Sequence, residues 1–254
     1  MLKGRGALVL GSTSGLGRAV AEGLAAEGAR TVFTGRRGEL ARQAAAGYPG
    51  SIGLELDMAD PESVRRGVSA ATAELGAIDV LVLNSGGPPP GNAVSLTPGE
   101  MEDSLQTLLL AQISIVATVL PSMRERGWGR IVSIGSSGVE QPIAGLVRSN
   151  AARAALSGYL KTLASEVAAE GVTVNMVLPG RISTSRATEI DEARAAASGR
   201  DVATVEAETI SAIPAGRYGT PEEFACAAVF LCGAGASYIT GGRMRVDGGV
   251  TRSH

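Results

Sequence analysis

Aromatic residues make up only 3% of this 254-residue chain, and its one histidine, His254, is the last residue. So few rings leave little for base-stacking platforms. A formal net charge of −2 gives no excess of cations to displace the counterions around a nucleic-acid backbone. A histidine-based catalytic triad would need its base from a chain end. With only two cysteines besides, no metal site is expected. Cys226 and Cys232 lie in a segment that reads as one helix, where six residues span roughly 9 Å. That exceeds the ~7 Å Cα separation a disulfide tolerates, so two small buried thiols are expected. Long apolar runs are also scarce. Ala7–Leu10 ends at Gly11, before a signal-peptide core is complete. Leu108–Leu120 is interrupted by Gln112, Ser114 and Thr118 and is too short to cross a bilayer. These absences predict a soluble, cytoplasmic protein with neither nucleic acid nor membrane as partner.

Apolar material is ample. Hydrophobic residues are 44% and charged residues 19%, a balance that favours a packed core over disorder. Short apolar runs alternate with longer amphipathic segments. Strands are predicted at Gly6–Leu10, Arg30–Thr34, Ser51–Leu56, Ile78–Leu83, Arg130–Ile134, Val172–Val177 and Arg243–Val246. Helices are predicted at Leu16–Glu27, Glu39–Ala46, Pro61–Leu75, Pro98–Glu125, Ser149–Ala169 and Pro221–Leu231. Val/Ile/Leu-rich strands separated by helices imply a parallel sheet covered on both faces. No linker or low-complexity tract divides the chain. The expected fold is a single doubly wound Rossmann-type α/β domain over 1–254, a three-layer α/β/α sandwich. The charged, alanine-rich stretch Ser185–Ile213 reads either as a lid-like insertion over a cofactor or as a solvated helix pair.

The first strand runs into Gly11-Ser12-Thr13-Ser14-Gly15-Leu16-Gly17, which opens the first helix. Gly11 permits the tight turn, and Gly15 and Gly17 let the backbone approach a pyrophosphate and pack on the sheet. The helix N-terminus then offers free N–H groups to that negative charge. A site preferring NAD places Asp or Glu at the end of the second strand for the ribose 2′-OH. Here Arg36 and Arg37 stand instead, and guanidinium groups suit a 2′-phosphate. NADP is therefore the expected cofactor, with NAD less favoured.

These segments, in order, resemble the short-chain dehydrogenase/reductase family, and within it the 3-oxoacyl-carrier-protein-reductase-like branch. Gly11–Gly17 resembles the family's glycine motif. Asp57, with Met58, follows the third strand where the family contacts adenine. Asn84-Ser85-Gly86-Gly87 resembles its Asn-Asn-Ala-Gly motif, and Ile134-Gly135-Ser136 its catalytic-serine segment. Pro179-Gly180-Arg181-Ile182-Ser183-Thr184 resembles the loop that holds the nicotinamide carboxamide. Gly216-Arg217 with Pro221-Glu222-Glu223, and Val246-Asp247-Gly248-Gly249, resemble its C-terminal signature. The resemblance implies hydride transfer between NADP(H) and a small carbonyl or alcohol substrate, and a homodimer or homotetramer paired through the long helices. The second of these carries small and apolar residues, among them Ala151, Ala154, Ala155 and Leu156, on a face that wants burial.

The same comparison exposes departures. The family's active site uses Asn, Ser, Tyr and Lys, the last two as Tyr-x-x-x-Lys. Tyr48, Tyr159, Tyr218 and Tyr238 are followed four residues on by Ile52, Leu163, Glu222 and Gly242, so no such pair exists. The family's tyrosine position, thirteen residues after Ser136, falls on Ser149, and its lysine position on Arg153. The asparagine position aligns with Leu108, and only Ser136 of the four is retained. Tyr159 lies roughly 15 Å along the helix from Ser149, too far to substitute for it, and reads as a packing or interface residue. A serine hydroxyl is a far weaker acid than a phenol, and an arginine does not relay protons near neutrality. Arg153 can instead donate hydrogen bonds to a developing alkoxide, or bind a carboxylate or phosphate. Ser136 and Ser149 can orient a carbonyl or a water. The triproline Pro88-Pro89-Pro90 makes a stiff wall for the cleft. Two readings therefore remain from the sequence: an NADP-dependent oxidoreductase with an altered acid–base group, and a dinucleotide-binding sensor or assembly subunit without turnover. A third, a non-redox enzyme on the same scaffold, has no positive support.

Overall fold

Seven strands carry the alternation that the sequence predicts. The computed structural model describes residues 2–252, so His254 lies outside the described residues. The strands are β1 (Gly6–Val9), β2 (Arg30–Gly35), β3 (Ile52–Glu55), β4 (Val80–Leu83), β5 (Gly129–Ile134), β6 (Val172–Pro179) and β7 (Arg243–Val246). They form one sheet in the order β3-β2-β1-β4-β5-β6-β7, with every neighbouring pair parallel. Between them run α1 (Gly15–Ala26), α2 (Gly38–Ala45), α3 (Pro61–Leu75), α4 (Pro98–Leu105), α5 (Ala111–Glu125), α6 (Val147–Val167), α7 (Ser185–Ser198), α8 (Val202–Ser211) and α9 (Pro221–Cys232).

Side chains on a strand alternate between faces, and here each set feeds its own core. Leu8, Val32, Leu81, Leu83, Ile131 and Val174 pack with α3, α5 and α6 on one face. Ala7, Val9, Phe33, Val80, Val82 and Val177 pack with α1 and α9 on the other. The sheet is thus the middle layer of the predicted sandwich. Helix starts follow local chemistry. Asp60, Thr97 and Thr220 cap α3, α4 and α9, each with Pro at the first helical position, where its missing N–H costs nothing.

Several expectations need correction. Leu156 is not on an exposed face of α6: it is buried in the core, while Ala151, Ala154 and Ala155 are exposed. Cys226 is exposed and only Cys232 is buried; neither forms a disulfide. Six residues along a helix turn the side chain well away from its starting direction, so the two cysteines cannot share one face. The apolar stretch around Leu108 also belongs to a longer helical run, Pro98–Glu125, long and apolar enough by length and composition to cross a membrane. It is a core helix here: Leu108, Ala111, Ile115, Val116, Val119 and Met123 are all buried. That run is one helix broken by a π-helical turn, Gln106–Leu110. Finally, α6 begins at Val147 rather than Ser149, which puts Ser149 inside its first turn.

Candidate functional site

Strand order reverses between β1 and β4, since β1 pairs with both β2 and β4. In open α/β sheets ligands bind beyond the carboxyl ends of the strands at such a switch point. The predicted cofactor residues lie there. Gly11 and Gly15 both have φ of +56°, which an L side chain rarely adopts, so the turn requires glycine. A methyl group at Gly17 would fall 2.4 Å from the Gly11 carbonyl oxygen, so helix α1 can approach the turn only without a side chain. Asn84, after β4, donates through Nδ2 to the carbonyls of Leu10 (3.1 Å) and Gly11 (3.0 Å) and pins the turn from below. Gly15 faces open space, its nearest neighbour being Thr184 Cγ2 at 3.9 Å. This leaves a bare cradle between the glycine turn and the loop after β6.

The other predicted residues divide by what their side chains do. The Ser12 hydroxyl donates to Val9 O (2.8 Å) and accepts from Thr34 N (2.8 Å), so it is spent inside the sheet. Ser14 precedes α1 and is exposed without a capping bond. Leu16 packs against the core. Arg36 and Arg37, after β2, are exposed, and their side chains make no hydrogen bond or ion pair among the described residues. Asp57 accepts from Ala59 N (3.0 Å) in a tight turn. Met58 is buried in the core, leaving only its backbone for a ligand. Ser85 Oγ is buried with no partner, and Gly86 is exposed. The strap from Pro179 is anchored by Gly180 N to Val246 O (2.9 Å) and Ser183 N to Gly219 O (2.9 Å). Ile182 is buried in the core, and Thr184 caps α7 by accepting from Ala187 N. The open cradle, the orphaned Ser85 hydroxyl and the two free arginines fit a phosphorylated dinucleotide.

Beyond the cradle, the three predicted chemistry-bearing side chains are gathered at the end of β5. Arg153 donates through Nε to Ser149 Oγ (3.3 Å) and through Nη1 to Ile134 O (2.8 Å), tying α6 to the strand end. Ser136 Oγ accepts from Gly138 N (3.1 Å). Gly138 is wedged between the two segments: a methyl there would fall 2.5 Å from Asn150 Oδ1 and 3.3 Å from Ser136 Oγ. Arg153 is only 7% exposed, and burial pulls its guanidinium down to about 10. Leu108 is fully buried, and its carbonyl already accepts from Gln112 Nε2 (3.2 Å). The arrangement is rich in donors and, among the described residues, has no carboxylate or histidine base. It can orient and polarise a carbonyl oxygen, but it holds no group that titrates near neutral pH.

Several side chains that shape the cleft carry no signal in the sequence reading. Asn150 clamps the loop after Ser136, donating to Ile143 O (2.9 Å) and accepting from Ile143 N (3.3 Å). The triproline wall is held from both ends, by Arg186 Nη2 to Pro88 O (3.1 Å) and Arg148 Nη2 to Pro90 O (3.2 Å). On α7, Asp191 is 3% exposed, accepts from the Tyr218 hydroxyl (2.7 Å) and pairs with Arg181 (3.4 Å). Burial, and then the Asp191 carboxylate, push the Tyr218 phenol above its ordinary range. Tyr159, as expected, packs half-buried against the core.

Residues 11–251 match the family profile described as enoyl-(acyl carrier protein) reductase. The chain is 36% identical over 252 residues to the 3-oxoacyl-acyl-carrier-protein reductase of Vibrio cholerae, covering 98% of each. Among solved structures it resembles L-sorbose reductase from Gluconobacter frateurii, complexed with NADPH and L-sorbose, at TM-score 0.92 and 31% identity, over 100% of this chain and 98% of that one. It also resembles YwfH, an NADPH-dependent reductase involved in bacilysin biosynthesis, at TM-score 0.91 and 28% identity, over 98% and 99%. With a seven-stranded parallel sheet, the glycine turn at its switch point and similarity along nearly the whole length, the chain belongs to the short-chain dehydrogenase/reductase family, in its 3-oxoacyl-carrier-protein-reductase-like branch.

Proposed function

We propose that the protein is an NADP-dependent reductase that moves a hydride between NADP(H) and a small carbonyl or alcohol, with Ser149 and Arg153 replacing the family's tyrosine and lysine. The observation that carries this reading is the bond from Arg153 to Ser149 beside the Ser136 loop, next to an open dinucleotide cradle. The glycine turn would hold the pyrophosphate, Arg36 and Arg37 the 2′-phosphate, Asp57 the adenine side and Pro179–Thr184 the carboxamide. When bound, the coenzyme supplies the hydride for the carbonyl carbon. Ser136 and Ser149 each accept one hydrogen bond and so keep a hydroxyl proton to donate to the carbonyl oxygen. Arg153, through its bond to Ser149, stabilises negative charge growing on that oxygen. The proton that completes the alcohol comes from water by way of a serine hydroxyl, because neither side chain is an acid near pH 7. Without a positioned acid, a rate deficit on the order of 10² to 10⁴ against a phenol-bearing site is expected. The segment from α7 to α8 serves as the lid.

The protein is further proposed to work in the cytoplasm as a homodimer or homotetramer. The exposed Phe230, Tyr238 and Ile239, and the alanine face of α6, support the assembly.

Titration with both coenzymes followed by a carbonyl screen tests the reading. Arg36→Ala with Arg37→Ala should weaken NADPH binding far more than NADH binding; equal weakening removes the 2′-phosphate assignment. Ser136→Ala should abolish the NADPH oxidation seen in the screen, and an unchanged rate would move the chemistry elsewhere. Tight NADPH binding with no turnover across a broad panel would favour the alternative, a dinucleotide-binding sensor or assembly subunit.

A further inference from the structure

Arg153 is a buried cation that meets no carboxylate among the described residues. Removing an ion from water is unfavourable unless charge and hydrogen bonds are returned to it. Other sheltered arginines are compensated. Arg148 pairs with Glu100 (3.7 Å) and Arg181 with Asp191 (3.4 Å). Arg130, 3% exposed, lies 4.4 Å over the Trp128 ring and donates to the carbonyls of Gly129, Gly171 and Gly233. Among the described residues Arg153 has one carbonyl and one neutral hydroxyl as partners, with no ring and no carboxylate. Burial pulls its guanidinium below the ordinary arginine range. Its second terminal nitrogen, Nη2, has no hydrogen-bond partner among the described residues and is not sealed from solvent.

We infer that Arg153 is an anion receptor and that the substrate is an oxo acid whose carboxylate binds its free Nη2. This rests on the reductase reading above and specifies its substrate class. An N–H of a charged guanidinium donates a strong, charge-assisted hydrogen bond to a carboxylate oxygen. The Ser149 hydroxyl, which would hold the reacting carbonyl, is 3.3 Å from Arg153 Nε. Groups bound so close together must be close in the ligand, which selects acids with the oxo group two or three carbons into the chain. A substrate whose only anion is remote from its carbonyl could not reach both.

Calorimetric titration of the NADP+-loaded protein tests this without requiring turnover. The probes are 2-oxobutanoate against butanone and 2-oxohexanoate against 2-hexanone. Each oxo acid should bind at least tenfold tighter than its neutral partner. Arg153→Met should erase that preference, and Arg153→Lys, which keeps the charge, should restore part of it. Should Arg153→Met fail to fold by circular dichroism, competition in the unaltered protein replaces it: sodium formate should displace the oxo acid, and sodium chloride of equal ionic strength should not. Equal affinity within each pair, no binding of either member, or a preference that survives Arg153→Met would overturn the inference. NADPH absorbance followed in parallel separates the two readings. Ketone reduction without oxo-acid preference sinks the receptor and leaves the reductase. A tightly bound oxo acid with no NADPH consumption does the reverse.

Discussion

Replacing a phenol and an ammonium by a hydroxymethyl and a guanidinium changes which protons can move. A tyrosine beside a lysine can be tuned from about 10 towards neutrality. Serine has no such range, and Arg153, drawn by burial only to about 10, stays charged through the physiological interval. Below about 10 its charge is constant, so it imparts no pH dependence there. The turnover rate should therefore be nearly flat from about pH 6 to pH 9, as steady-state rates across that range would show. A limb near neutrality would reveal an acid other than Ser149. Ser149→Tyr combined with Arg153→Lys should introduce such a limb. At this scale the candidate chemistry was readable, because Ser149 and Arg153 are fixed by spacing from Ser136 along one stretch of chain. Arg186 was not. Its partner Pro88 is 98 positions away, and nothing local to either residue announces the contact.

Among the elements, the core helices and strands follow from hydrophobic period, which is a local property. The segment after β6 does not. Helix α7 buries little beyond Ala187, Asp191 and Ala195, so its sequence reads equally as lid or as solvated surface. What fixes its position is a polar latch: Asp191 on α7, Tyr218 and Arg181 on flanking loops, and the backbone pairing of Ile182 with Gly219. A buried carboxylate that loses a donor costs on the order of 1 to 3 kcal/mol. Tyr218→Phe should accordingly speed amide hydrogen exchange in α7 and raise KM several-fold while leaving the exchange of β4 and β5 unchanged. Unaltered exchange in α7 would show that the latch does not hold it. The π-helical turn Gln106–Leu110 was equally invisible. Its residues carry the same apolar pattern as the α-helix on either side, and only the hydrogen-bond offset distinguishes it.

For the molecule as a whole, stability rests on the two cores that sandwich the sheet. Leu81, in the central strand β4, is fully buried against the face covered by α3, α5 and α6. Leu81→Ala should cost about 2 to 5 kcal/mol, depending on how far the site collapses, measurable as a lowered urea midpoint at unchanged slope. A shift below 1 kcal/mol, of the order seen for volume-conserving swaps, would mean that this layer tolerates the void. Packing also corrected the sequence reading here. Leu156 sits on a helix whose small residues suggest an exposed strip, yet α6 is rotated so that Leu156 points into the core and Ala151, Ala154 and Ala155 point out.

By itself the sequence determined the alternation of strands and helices, the glycine turn at the end of β1 and the identity of the substituted residues, because each is encoded in neighbouring positions. Only the tertiary structure decided which charges are matched. Whether Arg153 meets a carboxylate depends on the ends of β5 and α6 and on every loop around them. Folding brings it a backbone carbonyl and a serine hydroxyl, and leaves its charge unanswered among the described residues.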